Sequence, residues 1–366
     1  MAVVGAGSLG LAHALAAARR GRRVVVVERD VQANGASIRN FGFVTVTGQQ
    51  RGTCWRRARR SRDIWAEVAP RAGITVVHEG LAVVARRPEA AAVLEAFART
   101  EMGERCTLYA PHEARRRFPQ LTGTLAAVLW SPVDLRVESR EAMPRLAAWL
   151  AARGVAFLYG ASTLDVAPPA IRTSLGIVEA DRAVVCPGDD LSALFPERIA
   201  RLGIRRCKLQ MMRLRPHRSF ALPGAVMTDL SLVRYLGYAE LPEAARLLTR
   251  LQREQPEHLA AGVHLIAVQS LDGTVVVGDT HRYGLTMDPF SEAGLDRLVL
   301  AELGAVFPDL EHEVVERWIG TYASHGDVLM IVDRPLDAVW LVMITSGTGA
   351  STSFAIGEEV IEEMFA

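Results

Sequence analysis

The sequence predicts an α/β fold in which a doubly wound parallel sheet is interrupted by an inserted domain of mixed and antiparallel strands. Three observations carry that prediction. A continuously apolar run at 2–4 enters a glycine-rich turn, an alanine- and leucine-rich segment at 9–20, and a second apolar run at 24–27. A third apolar run at 182–188 ends in Pro187-Gly188, and a fourth at 339–344 enters Ser346-Gly347-Thr348-Gly349 and a final helical segment. Between these returns the pattern shortens and alternates. Continuous apolar strands mark a parallel sheet covered on both faces, whereas alternation marks strands with one wet face.

Taken in order, the first thirty residues read as a βαβ unit, followed by a polar, glycine-punctuated connection at 35–48 and a helix at 55–68 with an arginine-rich outer face. Strands are expected at 74–78 and 81–85, and amphipathic helices at 90–105 and 111–118. A helix at 139–153 and an extended segment at 156–159 return the chain to the first sheet, which resumes at 182–188. Strands of the second sheet are expected at 205–216, 263–270 and 274–278, with a helix at 240–252; the strand at 339–344 and a helix at 351–364 close the chain. The nucleotide-type domain is therefore read as discontinuous, comprising 1–75, 135–204 and 315–366, with 76–134 and 205–314 forming the second domain.

A chain of 366 residues is long enough for two such domains and a buried ligand site. Its 42 Lys+Arg and 41 Asp+Glu leave a net charge of +1, which gives no electrostatic case for nucleic acid or an anionic membrane as partner. Small-molecule chemistry is the leading class. Cys54, Cys106, Cys186 and Cys207 are widely spaced and form no metal or disulfide pattern, so no protein metal site is expected. With no long apolar run and no leader pattern after Met1, the expectation is a cytoplasmic protein. Lys208 is the single lysine in a chain whose other basic residues are all arginine. That singularity points to a role that a planar guanidinium would not serve.

Gly5-Ala6-Gly7-Ser8-Leu9-Gly10 fits G-x-G-x-x-G between a strand and a helix. Its glycines allow the tight turn and the approach of backbone to a pyrophosphate, and the helix N-terminus supplies N–H groups and partial positive charge. Glu28 at the end of the second apolar run is placed to accept ribose hydroxyls. The turn serves FAD and NAD alike. The terminal Ser346–Ser351 segment favours FAD, because amides at that helix start, Gly347, Thr348, Gly349 and Ser351 among them, are suited to charge developing on a flavin pyrimidine edge.

With these motifs assembled, the chain resembles the D-amino-acid-oxidase-like FAD-dependent oxidoreductases, alongside glycine and sarcosine oxidases. The resemblance rests on Gly5–Gly10, Glu28-Arg29, Val184-Val185-Cys186-Pro187-Gly188, Trp318-Ile319-Gly320 and the 347–356 segment. A narrower likeness is to the phosphonate-associated, 2-aminoethylphosphonate oxidase-type subgroup, through Ala36-Ser37-Ile38-Arg39-Asn40-Phe41-Gly42, Cys207-Lys208-Leu209-Gln210-Met211 and residues 317–324. The resemblance implies a Rossmann-type FAD-binding domain with an inserted mixed/antiparallel-sheet substrate domain. It extends the cofactor set to Arg29, Ser37, Arg39, Asn40, Phe41, Gly42 and Gly188.

In the glycine- and D-amino-acid-oxidase relatives an arginine two residues after Trp-x-Gly clamps the substrate carboxylate; here that place holds Tyr322. A tyrosine cannot neutralise a carboxylate, so Arg39 with Asn40 becomes the expected anion clamp, with Gln49 and Tyr238 beside the substrate. Lys208, Tyr322 and His325 are the expected catalytic residues, and Tyr235 and His281 further pocket candidates. The implied reaction is oxidation of a small, anionic amine by FAD with oxygen as acceptor, giving aldehyde, ammonia or methylamine, and hydrogen peroxide. The alternatives are a glycine-, sarcosine- or D-amino-acid-type oxidase, or an amine dehydrogenase using another acceptor.

Overall fold

The computed structural model describes residues 1–366. A six-stranded sheet carries the first layer: Ala2–Val4, Val25–Val27, Ala156–Leu158, Ala183–Val185 and Val339–Ile344 run parallel, and Met330–Leu336 pairs antiparallel at one edge. Each of the three central strands is an uninterrupted apolar run with almost no exposure, as a sheet covered on both faces requires. Helices Ser8–Arg19, Ser139–Ala151 and Gly349–Phe365 cover one face. The first and last of these meet so closely that a Cβ at Gly357 would stand 2.7 Å from the Ala12 backbone.

The second layer is a ten-stranded mixed sheet. Arg205–Pro216 pairs antiparallel with Val275–Gly278 and with His312–Ser324. Ala225–Thr228 runs parallel to Val76–Ala85, which pairs antiparallel with Ala127–Val137. The short strand Phe43–Val44 joins its edge and carries the chain from the first sheet onto the second. No helix is long and apolar enough to cross a membrane.

Several expectations are corrected. The segments 74–78 and 81–85 form one strand, Val76–Ala85, bent at Gly80; its φ is +89° and a Cβ there would stand 2.4 Å from the Trp130 ring. The helix expected at 90–105 stops as Pro88–Ala98, where the Thr100 hydroxyl donates to the Phe97 carbonyl and ends the ladder. The helix expected at 240–252 is Ala244–Glu254. Residues 163–179 form a separate three-stranded antiparallel sheet that no periodicity announced. Strand His312–Ser324 was also missed, and because it pairs along Arg205–Pro216, residues 315–324 belong to the larger sheet rather than to the nucleotide-type domain. Its side chains alternate between half-buried and exposed through its first half, with Glu313, Val315 and Arg317 outward and charged Glu316 half-buried, so a composition-based reading finds too little apolar content.

Candidate active site

A cavity of about 430 Å³ runs between the two sheets. One end is built by the first glycine turn. Gly5 has a φ of +101°, and a Cβ there would stand 2.6 Å from the Cys186 carbonyl; at Gly10 it would fall 1.9 Å from the Gly5 carbonyl. Only glycine allows strand, turn and helix to close this tightly. Gly7, Ser8, Leu9 and Gly10 line the cavity, and the Leu9 and Gly10 amides have no backbone acceptor. These free amides at a helix N-terminus are the donor set a pyrophosphate requires.

Ala36, Ser37, Asn40, Phe41, Cys186 and Gly188 continue the wall, and Gly347, Thr348, Gly349 and Ala350 close it from the start of the last helix. Ser37 Oγ accepts the Ser8 amide at 2.9 Å, tying the two cradle loops together. The Gly349 and Ala350 amides take no backbone acceptor, so a second helix N-terminus faces the same space. Two amide-rich helix starts lining one cavity fit a dinucleotide with a phosphate bridge and an electron-accepting ring.

Other expected cofactor residues act from outside the cavity. The Glu28 carboxylate accepts the amides of Ala6 at 2.7 Å and Asp30 at 3.1 Å, so it braces the glycine turn. Ala6 is buried behind the turn, and Arg29 pairs with Asp190 at 2.8 Å on the surface. Gly42 packs on the Val137 carbonyl with φ +66°. Ser351 Oγ accepts the Thr45 amide at 3.0 Å, fastening the last helix to the connecting segment.

The rest of the cavity lining mixes apolar Phe43, Leu209, Met211 and Ile266 with polar side chains. Strand Arg205–Pro216 alternates, so Leu209 and Met211 face the cavity while Lys208 and Gln210 face away. The Lys208 ammonium is buried on that far face, donating to Asp288 at 2.6 Å and to the Phe290 carbonyl at 2.5 Å. The expectation that it acts in catalysis is therefore corrected: it staples the loop after Gly284 to the sheet.

Arg39 is corrected too. Its side chain does not line the cavity, and its carbonyl accepts the Trp318 indole N–H at 3.1 Å. Asn40 lines the wall, but its amide is spent on the Ala36 carbonyl and the Gly42 amide, both at 2.7 Å. Tyr238 is fully buried against Phe97 and under Gly48, outside the lining. Gln49 does line the cavity, anchored to the Thr45 carbonyl at 3.2 Å. His325 lines the rim; its Nδ1 accepts the amides of Asp327 and Val328, so it holds a turn rather than a free base.

Tyr322 reaches the cavity as expected, opposite Cys207 on the neighbouring strand, and burial pushes its phenol well above the ordinary value. Tyr235 and His281 are also in the lining.

The polar wall contains groups that sequence reasoning did not select: Arg234, His264, Asp279 and Tyr283. Two short helices, Asp229–Leu232 and Leu236–Ala239, meet at a corner that directs Arg234 and Tyr235 inward. The Arg234 guanidinium donates to the Tyr283 phenol oxygen at 2.8 Å and has no carboxylate partner within ion-pair distance. His264 and Asp279 exchange backbone hydrogen bonds at 3.0 and 3.3 Å just beyond paired strand ends, which brings their side chains together.

His264 Nε2 lies 3.1 Å from Asp279 Oδ1, and His281 Nε2 lies 3.8 Å from Oδ2. Burial pushes the Asp279 carboxyl up to about 7, against the pull of Arg234, and holds both imidazoles well below their ordinary value. No motif spacing marks these residues; the signal available was a cluster of polar residues flanking apolar runs at 263–281.

Comparison with protein families matches residues 1–363 to the family described as "FAD dependent oxidoreductase". No curated protein matches by sequence. Among solved structures, glycine oxidase from Bacillus cereus aligns with a TM-score of 0.79 and 18% identity, covering 100% of this chain and 94% of that one. Glycine oxidase from Geobacillus kaustophilus aligns with a TM-score of 0.77 and 21% identity, covering 99% and 94%. L-alpha-glycerophosphate oxidase from Mycoplasma pneumoniae, solved with FAD bound, aligns with a TM-score of 0.75 and 14% identity, covering 100% and 94%. At these identities the likeness establishes the fold.

Proposed function

This chain belongs to the FAD-dependent oxidoreductase family, and from that premise we propose that it oxidises a small anionic amine, with 2-aminoethylphosphonate or its N-methyl form as the substrate class. The observation that carries this reading is Arg234: a guanidinium in the cavity wall that forms no ion pair, in a cavity also lined by apolar Leu209 and Met211. An unpaired guanidinium in such a setting is stabilised by an incoming anion, and its fork suits a phosphonate or a carboxylate. Tyr322, standing where related oxidases carry an arginine, favours a displaced anion and hence a substrate longer than an α-amino acid.

The glycine turn and the start of the last helix would hold FAD in the cavity, where it would supply a two-electron acceptor, with oxygen as the proposed final oxidant and hydrogen peroxide as its product. The chain's part is to hold the substrate anion at Arg234 and Tyr283, to keep water away with Leu209, Met211 and Ile266, and to present the amine-bearing carbon to the ring. Loss of hydride from that carbon leaves an imine, and water converts it to an aldehyde with ammonia or methylamine. The glycine-turn and last-helix segments would form the cofactor domain and the larger sheet the substrate domain. Free thiols at all four cysteines agree with a reducing, cytoplasmic location.

The test is peroxide release under air by the FAD-loaded protein, comparing 2-aminoethylphosphonate and its N-methyl form with glycine, sarcosine and D-alanine, repeated without oxygen with an artificial electron acceptor. Peroxide with the phosphonates is the expected outcome. Turnover of the amino acids alone would assign Arg234 to a carboxylate, and turnover with the artificial acceptor alone would make the protein a dehydrogenase.

A further inference from the structure

An amine gives up a hydride from its neighbouring carbon only when its nitrogen holds a free electron pair. An alkylammonium with a pKa of about 10 is neutral in only about one molecule in a thousand at pH 7. A group inside the cavity able to take that proton therefore sets the rate at neutral pH.

The cavity wall contains a carboxylate poised for this. Asp279 is 5% exposed, lines the cavity, and its Oδ1 makes no well-formed hydrogen bond although His264 Nε2 is 3.1 Å away. On its other side the tautomer of His281 is fixed. Its Nδ1 faces the Gly262 carbonyl at 2.9 Å, and since a carbonyl only accepts, Nδ1 carries the hydrogen. Neutral His281 therefore turns a bare nitrogen towards Asp279 Oδ2 at 3.8 Å. Two electron-rich atoms facing one another in a dry wall are relieved when a proton lies on the carboxylate.

We propose that Asp279, held between His264 and His281, accepts the proton of the substrate ammonium inside the cavity. This rests on the amine reading above. An N–H bond of the ammonium breaks, an O–H bond forms on Asp279, and nitrogen keeps the electron pair that later becomes part of the C=N bond. The proton passes to solvent when the product leaves. The charged and titratable groups facing Asp279 are Arg234 and Tyr235 from the corner, His264 and His281 beside it, and Cys207 on the neighbouring strand. Burial outweighs the pull of Arg234 and brings the carboxyl to about 7, where it can both take and release a proton at neutral pH.

The experiment uses the FAD-loaded enzyme and Asp279→Asn, an isosteric change. Wild-type kcat/KM should fall tenfold per pH unit below about 7 and level off above it. In the variant that inflection should vanish, with kcat/KM at pH 7 reduced roughly 100-fold and rising with pH towards the substrate's own pKa. A second readout needs no turnover: binding of a 2-aminoethylphosphonate with two methyl groups on the amine-bearing carbon, which has no hydride to lose.

Its affinity for wild type should weaken below pH 7 more steeply than for the variant, which keeps only the dependence set by the phosphonate's own second ionisation. Should Asp279→Asn fail to fold, as judged by bound flavin absorbance, His281→Gln should displace the same inflection. An unchanged inflection in the variants, with wild type oxidising amines, overturns this assignment alone. Loss of wild-type activity on chelation would mark the three residues as metal ligands and overturn it as well. A wild-type enzyme that neither oxidises nor binds any amine overturns the amine reading, and this assignment with it.

Discussion

The Arg234 guanidinium donates to the Tyr283 phenol oxygen at 2.8 Å and makes no close ion pair with a carboxylate. The pair joins the corner between two short helices to the edge strand Arg282–Gly284 of the larger sheet. It leaves one positive charge pointed at a mostly apolar chamber.

Replacing Arg234 with Met should therefore raise KM for anionic amines roughly 10- to 100-fold, the worth of a charge-assisted hydrogen bond, with a much smaller effect on uncharged amines. Steady-state kinetics on 2-aminoethylphosphonate and ethylamine would check this. Equal effects on both substrates would remove the anion from the site.

Lys208 should matter for stability and not for chemistry. Lys208→Met removes the donor to the Phe290 carbonyl and leaves Asp288 only the Phe290 amide, and an expected loss of about 1–3 kcal/mol should appear in denaturant unfolding. Because the ammonium lies on the sheet face away from the cavity, kcat/KM should stay within about twofold. A large drop in turnover by folded, flavin-bound protein would return Lys208 to the active site.

The glycine turn offers a graded series. At Gly10 a Cβ meets the Gly5 carbonyl at 1.9 Å, whereas at Gly7 it meets the Ser37 hydroxyl at 3.0 Å, an atom on a side chain able to rotate. Gly10→Ala should yield protein without flavin or no folded protein, while Gly7→Ala should retain weakened flavin binding. The ratio of flavin to protein absorbance after purification reads the difference, and equal retention would refute the close-packing argument.

His13 is fully buried in the first helix, and desolvation lowers its pKa to about 4. The unfolded chain takes up the proton near 6.5 while the folded one resists it, so the neutral ring contributes stability that is full above about 6.5 and lost as pH falls towards 4. The stability difference between wild type and His13→Gln should grow by up to about 3 kcal/mol between those limits and stay flat above them. Unfolding curves at pH 4.5, 5.5 and 7 would measure it; a difference independent of pH would mean that His13 binds its proton equally well in the folded and unfolded chain.

The parts legible in the sequence were those whose physics is local. The glycine turn between an apolar strand and a helix is written in consecutive residues, although the clearance at Gly5 is towards Cys186, and strand Val339–Ile344 is marked by a run that is apolar throughout. Strand His312–Ser324 escaped because its pairing partner lies about a hundred residues earlier and its outer positions carry charge.

By itself, then, the sequence marked the segments that line one part of the cavity, the glycine turn, Gly188 and the last helix start, because turn and helix-start chemistry is written in consecutive residues. Only the tertiary structure decided the substrate half. Whether a polar side chain meets the cavity depends on strand parity, which turns Lys208 away and Leu209 in, and on which distant segments meet at one wall. Arg234, His264, Asp279 and His281 converge from a helical corner and two strand ends, and no spacing along the chain encodes that meeting.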